Sequence, residues 1–216
     1  MNSFAAKSLM GLGGLSVAGG GGFLAWNKGL FSGSTESIRD KLRKSGYKAL
    51  ERGSSDWGKI FEVYKKGENT KKFEKDGITA NSTEADHDKL KEQCEKALNL
   101  DASKDEIYGR VIKWCVVPRK VEEVLSGVTL LGINENDNND VNDWKPVLTK
   151  YIATKRESKQ EYALSGVVLQ DPTTGTTNEA ENIKELKKGC KSRREKMTYE
   201  LDFEQSLAEV EGWCTK

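Results

Sequence analysis

Histidine is almost missing from this chain. His87 is the only one in 216 residues, and it sits between Asp86 and Asp88 near a helix start, where an exposed position is expected. Nothing nearby in sequence places a nucleophile for it to serve. The four cysteines include no Cys-x-x-Cys pair, which with a single histidine argues against a zinc site. Prolines number three and aromatic residues make up 8%, against 32% charged residues, a balance that favours a helical, well-solvated globule over a sheet sandwich. Acidic residues are absent from positions 1–33, which hold Lys7 and Lys28; the remainder carries 33 basic and 34 acidic side chains. So even a balance leaves no counterion-release footprint and speaks against nucleic-acid binding.

Charge is missing altogether from Ser8 to Trp26, nineteen residues of which seven are glycine. As a helix this run would be about 28 Å long, close to the roughly 30 Å hydrocarbon core of a bilayer. In water each glycine costs about 1 kcal/mol relative to alanine, whereas in lipid the penalty for unpaired amides forces the helix. Three readings follow. The first is an uncleaved membrane anchor carrying Leu9, Leu12, Leu15, Val17, Phe23, Leu24 and Trp26, with Gly14, Ala18 and Gly22 as a small-residue stripe. The second is a signal peptide cleaved after Ser16-Val17-Ala18, and the third a glycine-rich tail. The anchor ranks first. Lys28, Arg39, Lys41, Arg43 and Lys44 follow the segment and would hold the body in the cytoplasm, while the cysteines favour the outside. We side with the cysteines.

What is present is a pattern used twice. Trp57, Ile60, Phe61 and Tyr64 form one helical stripe, followed by a polar loop, a helix with Leu90 and Cys94, and a helix with Ile107, Val111, Trp114 and Cys115. Trp144, Val147, Leu148, Tyr151 and Ile152 repeat the stripe, followed by a longer loop, a helix with Ile183, Leu186 and Cys190, and a helix with Phe203, Leu207, Val210 and Cys214. The offset is 87 residues at the tryptophans and tyrosines, then 96 and 99 at the cysteines, so it grows where loops tolerate insertion. The expected fold is therefore mostly α: an N-terminal membrane anchor, then two tandem duplicated three-helix units packed singly or as one helical bundle. The expected boundaries are 1–33 for the anchor or signal segment with its linker, 34–54 for a connecting helix, 55–118 for the first repeat, 119–142 for a linker and 143–216 for the second repeat.

Local signals refine this. Ser34 or Thr35 is the expected cap of the connecting helix and Gly46 its stop. Ser103 with Glu106 reads as a capping box, as does Thr176 with Glu179. Pro146 is expected in a first helical turn, and Val167-Val168-Leu169 as a strand. Trp57, Tyr64, Trp114, Trp144, Tyr151 and Trp213 are expected in the core, with Trp114 and Trp213 covering the neighbouring cysteines. Basic runs such as Lys187-Lys188 and Lys191-Ser192-Arg193-Arg194 read as solvated helix faces.

Four cysteines pair in three ways. A unit of this size buries little, so one staple per unit is expected: Cys94–Cys115 and Cys190–Cys214. A geometric objection stands against it. An antiparallel hairpin turning near residue 101 would set Cys94 opposite residue 108, leaving Cys115 about 9 Å too far along. The bridge then requires Cys115 to leave the helix line, or else the cysteines pair between units. Four buried free thiols are the remaining alternative. The run Asn134 to Asp140 resembles a calcium loop in composition only, lacking its glycine and its closing glutamate.

The start from Ala5-Ala6-Lys7 through Gly22, the triplet Ser45-Gly46-Tyr47, the run Lys113-Trp114-Cys115-Val116-Val117-Pro118 and the close Trp213-Cys214-Thr215-Lys216 together resemble the large paralogous families of uncharacterised proteins in haemotropic mycoplasmas. Those families have no assigned activity or catalytic residues. The resemblance implies a lineage-specific protein, membrane-anchored and facing the host without an intervening cell wall, with variable loops. The function expected from the whole reading is non-enzymatic: host contact or antigenic display at the cell membrane, with the body outside, no cofactor and no metal. The partners would be the membrane and a host surface molecule or antibody. Loops 67–82, 132–143 and 155–178 would be the changeable parts. A thiol-redox protein or enzyme using the cysteines, and a cytoplasm-facing tethered scaffold, are the alternatives.

Overall fold

The computed structural model describes residues 36–125, 127–158, 164–170 and 178–216. The proposed membrane segment lies outside these residues, and among those described no helix is long and apolar enough to cross a membrane. The described chain is mostly helical: α1 (Ile38–Lys44), α2 (Asp56–Tyr64), α3 (His87–Leu98), α4 (Asp105–Trp114), α5 (Val121–Val124), α6 (Val141–Ser158), α7 (Glu179–Arg194) and α8 (Phe203–Trp213). β-pairing among the described residues is limited to four isolated antiparallel bridges. Val167 to Leu169, expected as a strand, is irregular.

Those four bridges define the architecture, because they come as two matching pairs. Ser37 faces Asp101, with Ile38 N donating to Leu100 O at 2.8 Å and Ala102 N to Glu36 O at 2.8 Å. Lys120 faces Met197 in the same way, with Val121 N on Lys196 O and Thr198 N on Arg119 O, both at 2.9 Å. Ala49 faces Val116, tying Leu50 N to Cys115 O and Val117 N to Lys48 O, both at 2.8 Å. Leu130 faces Thr215, tying Leu131 N to Cys214 O and Lys216 N to Thr129 O, both at 2.9 Å. The segments expected as a connecting helix (34–54) and a linker (119–142) therefore make equivalent contacts. α1 buries Ile38 and Leu42; α5 with the residue after it buries Val121 and Leu125. Each unit is a four-helix set, α1–α4 and α5–α8, and not the expected three.

Each set has its own core. One holds Ile38, Trp57, Phe61, Tyr64, Leu90, Cys94 and Trp114 among others; the second holds Val121, Trp144, Tyr151, Leu186, Cys190 and Val210. Trp57 and Trp144 occupy like positions, and each indole N–H finds a backbone carbonyl in the segment before its helix: Glu51 O at 2.9 Å and Gly132 O at 3.0 Å. A buried indole needs that partner, since an unmade bond there is costly.

The helix ends show where local signals hold and where they fail. α1 stops as expected at Gly46, whose φ of +75° suits glycine. Tyr47 N donates to Leu42 O and Gly46 N to Arg43 O, the double closure of a Schellman motif. Its cap is Ser37, whose hydroxyl accepts from Asp40 N; Ser34 and Thr35 lie outside the described residues. The Ser103–Glu106 box is not formed. Ser103 N is taken by Asp101 and Glu106 pairs with Arg110, so α4 starts with no side-chain cap. α6 begins at Val141, which puts Pro146 in its second turn and not its first.

The two units meet along a seam made by one face of the first. Tyr199 and Leu201 pack on the first core. The Arg119 guanidinium lies 5.3 Å from the Tyr47 ring centre. Lys113, nearly out of water, donates to Glu200 O and Glu204. The second unit has Gly212 where the first has Lys113, so it carries no matching clamp.

Candidate functional site

Each unit holds one disulfide, at the corner where its last helix ends. In the first unit Cys94 of α3 is bonded to Cys115, with a Cα–Cα distance of 5.4 Å that suits a disulfide. Cys115 stands just past the end of α4, with φ −120° and ψ 8°. It has left the helix line, as the geometric objection required. Asp101 is paired with Ser37, and the flanking backbone bonds Ile38 N to Leu100 O and Ala102 N to Glu36 O hold the α3–α4 connection against the segment before α1, so it is not the tight turn of a plain helical hairpin. α4 thus starts displaced, and its end rather than its middle meets Cys94. The second corner repeats this: Cys190 is bonded to Cys214, Cα–Cα 5.7 Å, with Cys214 at φ −116° and ψ 14°. None of the four cysteines is free. Each bridge closes a loop of just over twenty residues, worth roughly 3 kcal/mol in the chain-entropy model.

Beside each bridge stands an aromatic pair. The Trp114 and Tyr64 rings meet edge to face at 5.0 Å, as do Trp213 and Tyr151 at 5.0 Å. Trp114 is buried and donates from its indole to Lys71 O at 2.9 Å. Tyr64 donates its hydroxyl to the Asp76 carboxylate and accepts from Phe73 N at 2.7 Å. Burial, and then the hydrogen bond to Asp76, hold its phenol well above the ordinary tyrosine range. Asn69, also buried, donates to Tyr64 O at 2.7 Å and accepts from Lys71 N at 2.9 Å. The loop expected to be changeable, 67–82, is thus fixed by Asn69, Phe73 and Ile78, with most residues between them exposed. Trp213 differs from Trp114 in being only half-buried, and the Lys150 ammonium lies 4.8 Å over its ring.

Two buried ion clusters in the second unit correct the reading of its basic runs. Lys187 is 1% exposed, and its ammonium donates to Asn134 O (3.0 Å), Asp137 O (2.7 Å) and the Asp140 carboxylate (2.6 Å). The loop that looks like a calcium loop does surround a cation, and that cation is a lysine of the same chain. Lys187 falls on the apolar stripe of α7 with Ile183, Leu186 and Cys190, which was a signal in the sequence. Arg193 pairs with Asp202 and Glu209, and Arg194 with Glu122, so neither arginine is a solvated helix face. Glu209 also accepts from Ser165 N and Oγ, fixing the end of the long loop whose residues 159–163 and 171–177 lie outside those described.

His87 is half-buried rather than exposed, its ring 4.4 Å from that of Phe61. Among the described residues no three histidine, cysteine or carboxylate side chains are gathered to hold a metal ion. No family model, curated protein or solved structure matches the chain.

Proposed function

We propose that this is a membrane-anchored surface protein that works by contact and not by catalysis. Its stapled helical units would be a frame that presents loops to a host molecule or an antibody. One observation carries the reading: each unit closes its own buried disulfide, and such bonds persist in oxidising, exported settings. The uncharged run from Ser8 to Trp26 supplies the tether in this reading. The loops support it further. Between the buried anchors Asn69, Phe73 and Ile78, Thr70 and Glu74 face solvent, as does Asn81 just past them, so side chains there can change without entering the core. The buried sulfurs weigh against thiol exchange as the activity, because exchange needs an accessible sulfur.

The test is labelling of intact cells with a membrane-impermeant biotin reagent. The protein should be labelled together with a known surface protein. A body that stays unlabelled while that control reacts would contradict surface display.

A further inference from the structure

The seam joins unlike faces of the two units. Lys113 of α4 reaches out of the first unit to Glu200 O at 2.7 Å and to Glu204 at 3.0 Å in the second. A contact of this heterologous kind leaves one face of each sort at the outer ends. If the seam chemistry stood there too, the contact would repeat from copy to copy into rings or fibres. The bridges and disulfides set the units in register, so each outer end has a counterpart at the seam.

The outer end of the first unit corresponds to the face that Lys113 enters. Asp101 matches Met197, 96 residues on, and Cys115 matches Cys214, 99 residues on. The connection into α8 is therefore three residues longer than the one into α4, and it holds Tyr199, Glu200 and Leu201, which meet the first unit. Asp105 matches Glu204. Its carboxylate is taken by Lys41 at 3.0 Å, whose ammonium also donates to Ala102 O at 3.1 Å and lies 4.4 Å from the Tyr108 ring centre. Lys113 has the same three contacts: a carbonyl of the connection, a carboxylate in the first turn of the last helix, and a ring, that of Trp114 at 5.5 Å. The second unit has Val124 in the place of Lys41, which leaves Glu204 to the lysine of its neighbour.

The outer end of the second unit corresponds to the face that Lys113 leaves. Gly212 stands where the lysine would be. The ammonium over the tryptophan comes instead from Lys150 of α6, 4.8 Å from the Trp213 ring centre, and it donates to Gly212 O of its own unit at 3.3 Å. The first unit has Val63 in that place, packed on its core. We infer that Lys41 and Lys150 close the outer ends of a head-to-tail interface, so that copies of this chain do not stack through the surfaces that dock its own two units. The inference concerns the ends of the frame and not what the loops contact, so its failure would leave the display reading standing.

Two altered full-length chains in detergent micelles test this, each shown by peptide mapping to keep both disulfides. A labelled donor chain carries Gly212→Lys and Lys150→Val. An acceptor chain carries Lys41→Val and a Tyr-Glu-Leu insertion after Ala102. The donor should bind the acceptor saturably and the unaltered chain about tenfold or more weakly, because Lys41 there already holds the acceptors. Gly212→Met in place of Gly212→Lys should bring donor binding down to the weaker level. If the insertion prevents folding, Lys41→Val alone takes its place and should still bind the donor more tightly than the unaltered chain does. Absence of donor binding, equal binding of the acceptor and the unaltered chain, or binding indifferent to the side chain at 212 would each overturn the proposal.

Discussion

Lys113 and Glu204 meet across the seam between the two units, the ammonium 3.0 Å and 3.2 Å from the two carboxylate oxygens. The lysine side chain is 3% exposed and the glutamate 45%, so the pair is unequal. Lys113→Ala removes a charged donor from three acceptors and should cost about 2–3 kcal/mol in urea unfolding of the full chain. Glu204→Gln should cost about 1 kcal/mol or less, because that carboxylate is partly in water. Equal costs would mean that the seam does not depend on the buried partner.

Tyr64 gives a prediction with a sign. Its folded pKa is raised above the ordinary value of 10.0 by burial and by the bond to Asp76. Folded protein therefore binds the phenolic proton more tightly than unfolded protein does, and the resulting stability is present below pH 10 and lost as pH climbs past it. Tyr64→Phe should cost about 1–3 kcal/mol at neutral pH, since it leaves Phe73 N–H without its acceptor. The gap between wild type and variant should narrow above pH 10, as read from paired denaturation curves. A gap that widens there would contradict the assigned bond.

The Lys187 cluster tests whether an internal ammonium organises the loop at 134–140. Lys187→Met strands two carbonyls and the Asp140 carboxylate, and should cost about 3–5 kcal/mol. Adding Asp140→Asn removes the stranded charge and should recover part of that loss. Calcium should leave the melting temperature of the wild type unchanged, because the loop's oxygens already face a cation. A calcium-dependent rise would show that the loop prefers a metal to its lysine.

Gly189 tests the packing of the long loop on α7. A Cβ there would fall inside contact distance of Val167 Cγ2 and lie 3.3 Å from Leu164. Gly189→Ala should cost about 1–3 kcal/mol by overpacking, and Val167→Ala in the same chain should restore most of it. Gln93→Ala, at the equivalent place in the first unit, should change stability by about 0.5 kcal/mol or less. Destabilisation by Gly189→Ala without rescue would place the strain elsewhere.

These contacts also mark what could be read from the residues alone. Stripes such as Trp57, Ile60, Phe61 and Tyr64 are local, and helical periodicity exposes them; all four are buried on α2. The unit boundaries were less legible. Ile38 depends on Leu100 and Leu50 on Cys115, pairings between backbone atoms more than sixty residues apart that no side-chain pattern records. The Ser103 box lacks its glutamate arm because the Ser103 N–H is taken by Asp101, two residues earlier, and Glu106 pairs with Arg110; the position that caps α4 is Lys104. Lys187 reads as a surface residue because lysine usually is one, and the oxygens that draw it inside lie 47 to 53 residues away in the chain. The disulfide objection assumed a plain helical hairpin. The α3–α4 connection that removes it is held by the pairing of Asp101 with Ser37, which lies 64 residues earlier in the chain.

The molecule is built as two separately stapled four-helix sets. Proteolytic mapping under non-reducing conditions, with mass spectrometry of the linked peptides from freshly lysed cells, tests that most directly. It should return one peptide pair joining Cys94 to Cys115 and another joining Cys190 to Cys214. A peptide joining Cys94 to Cys190, or four cysteines recovered as free thiols, would contradict it.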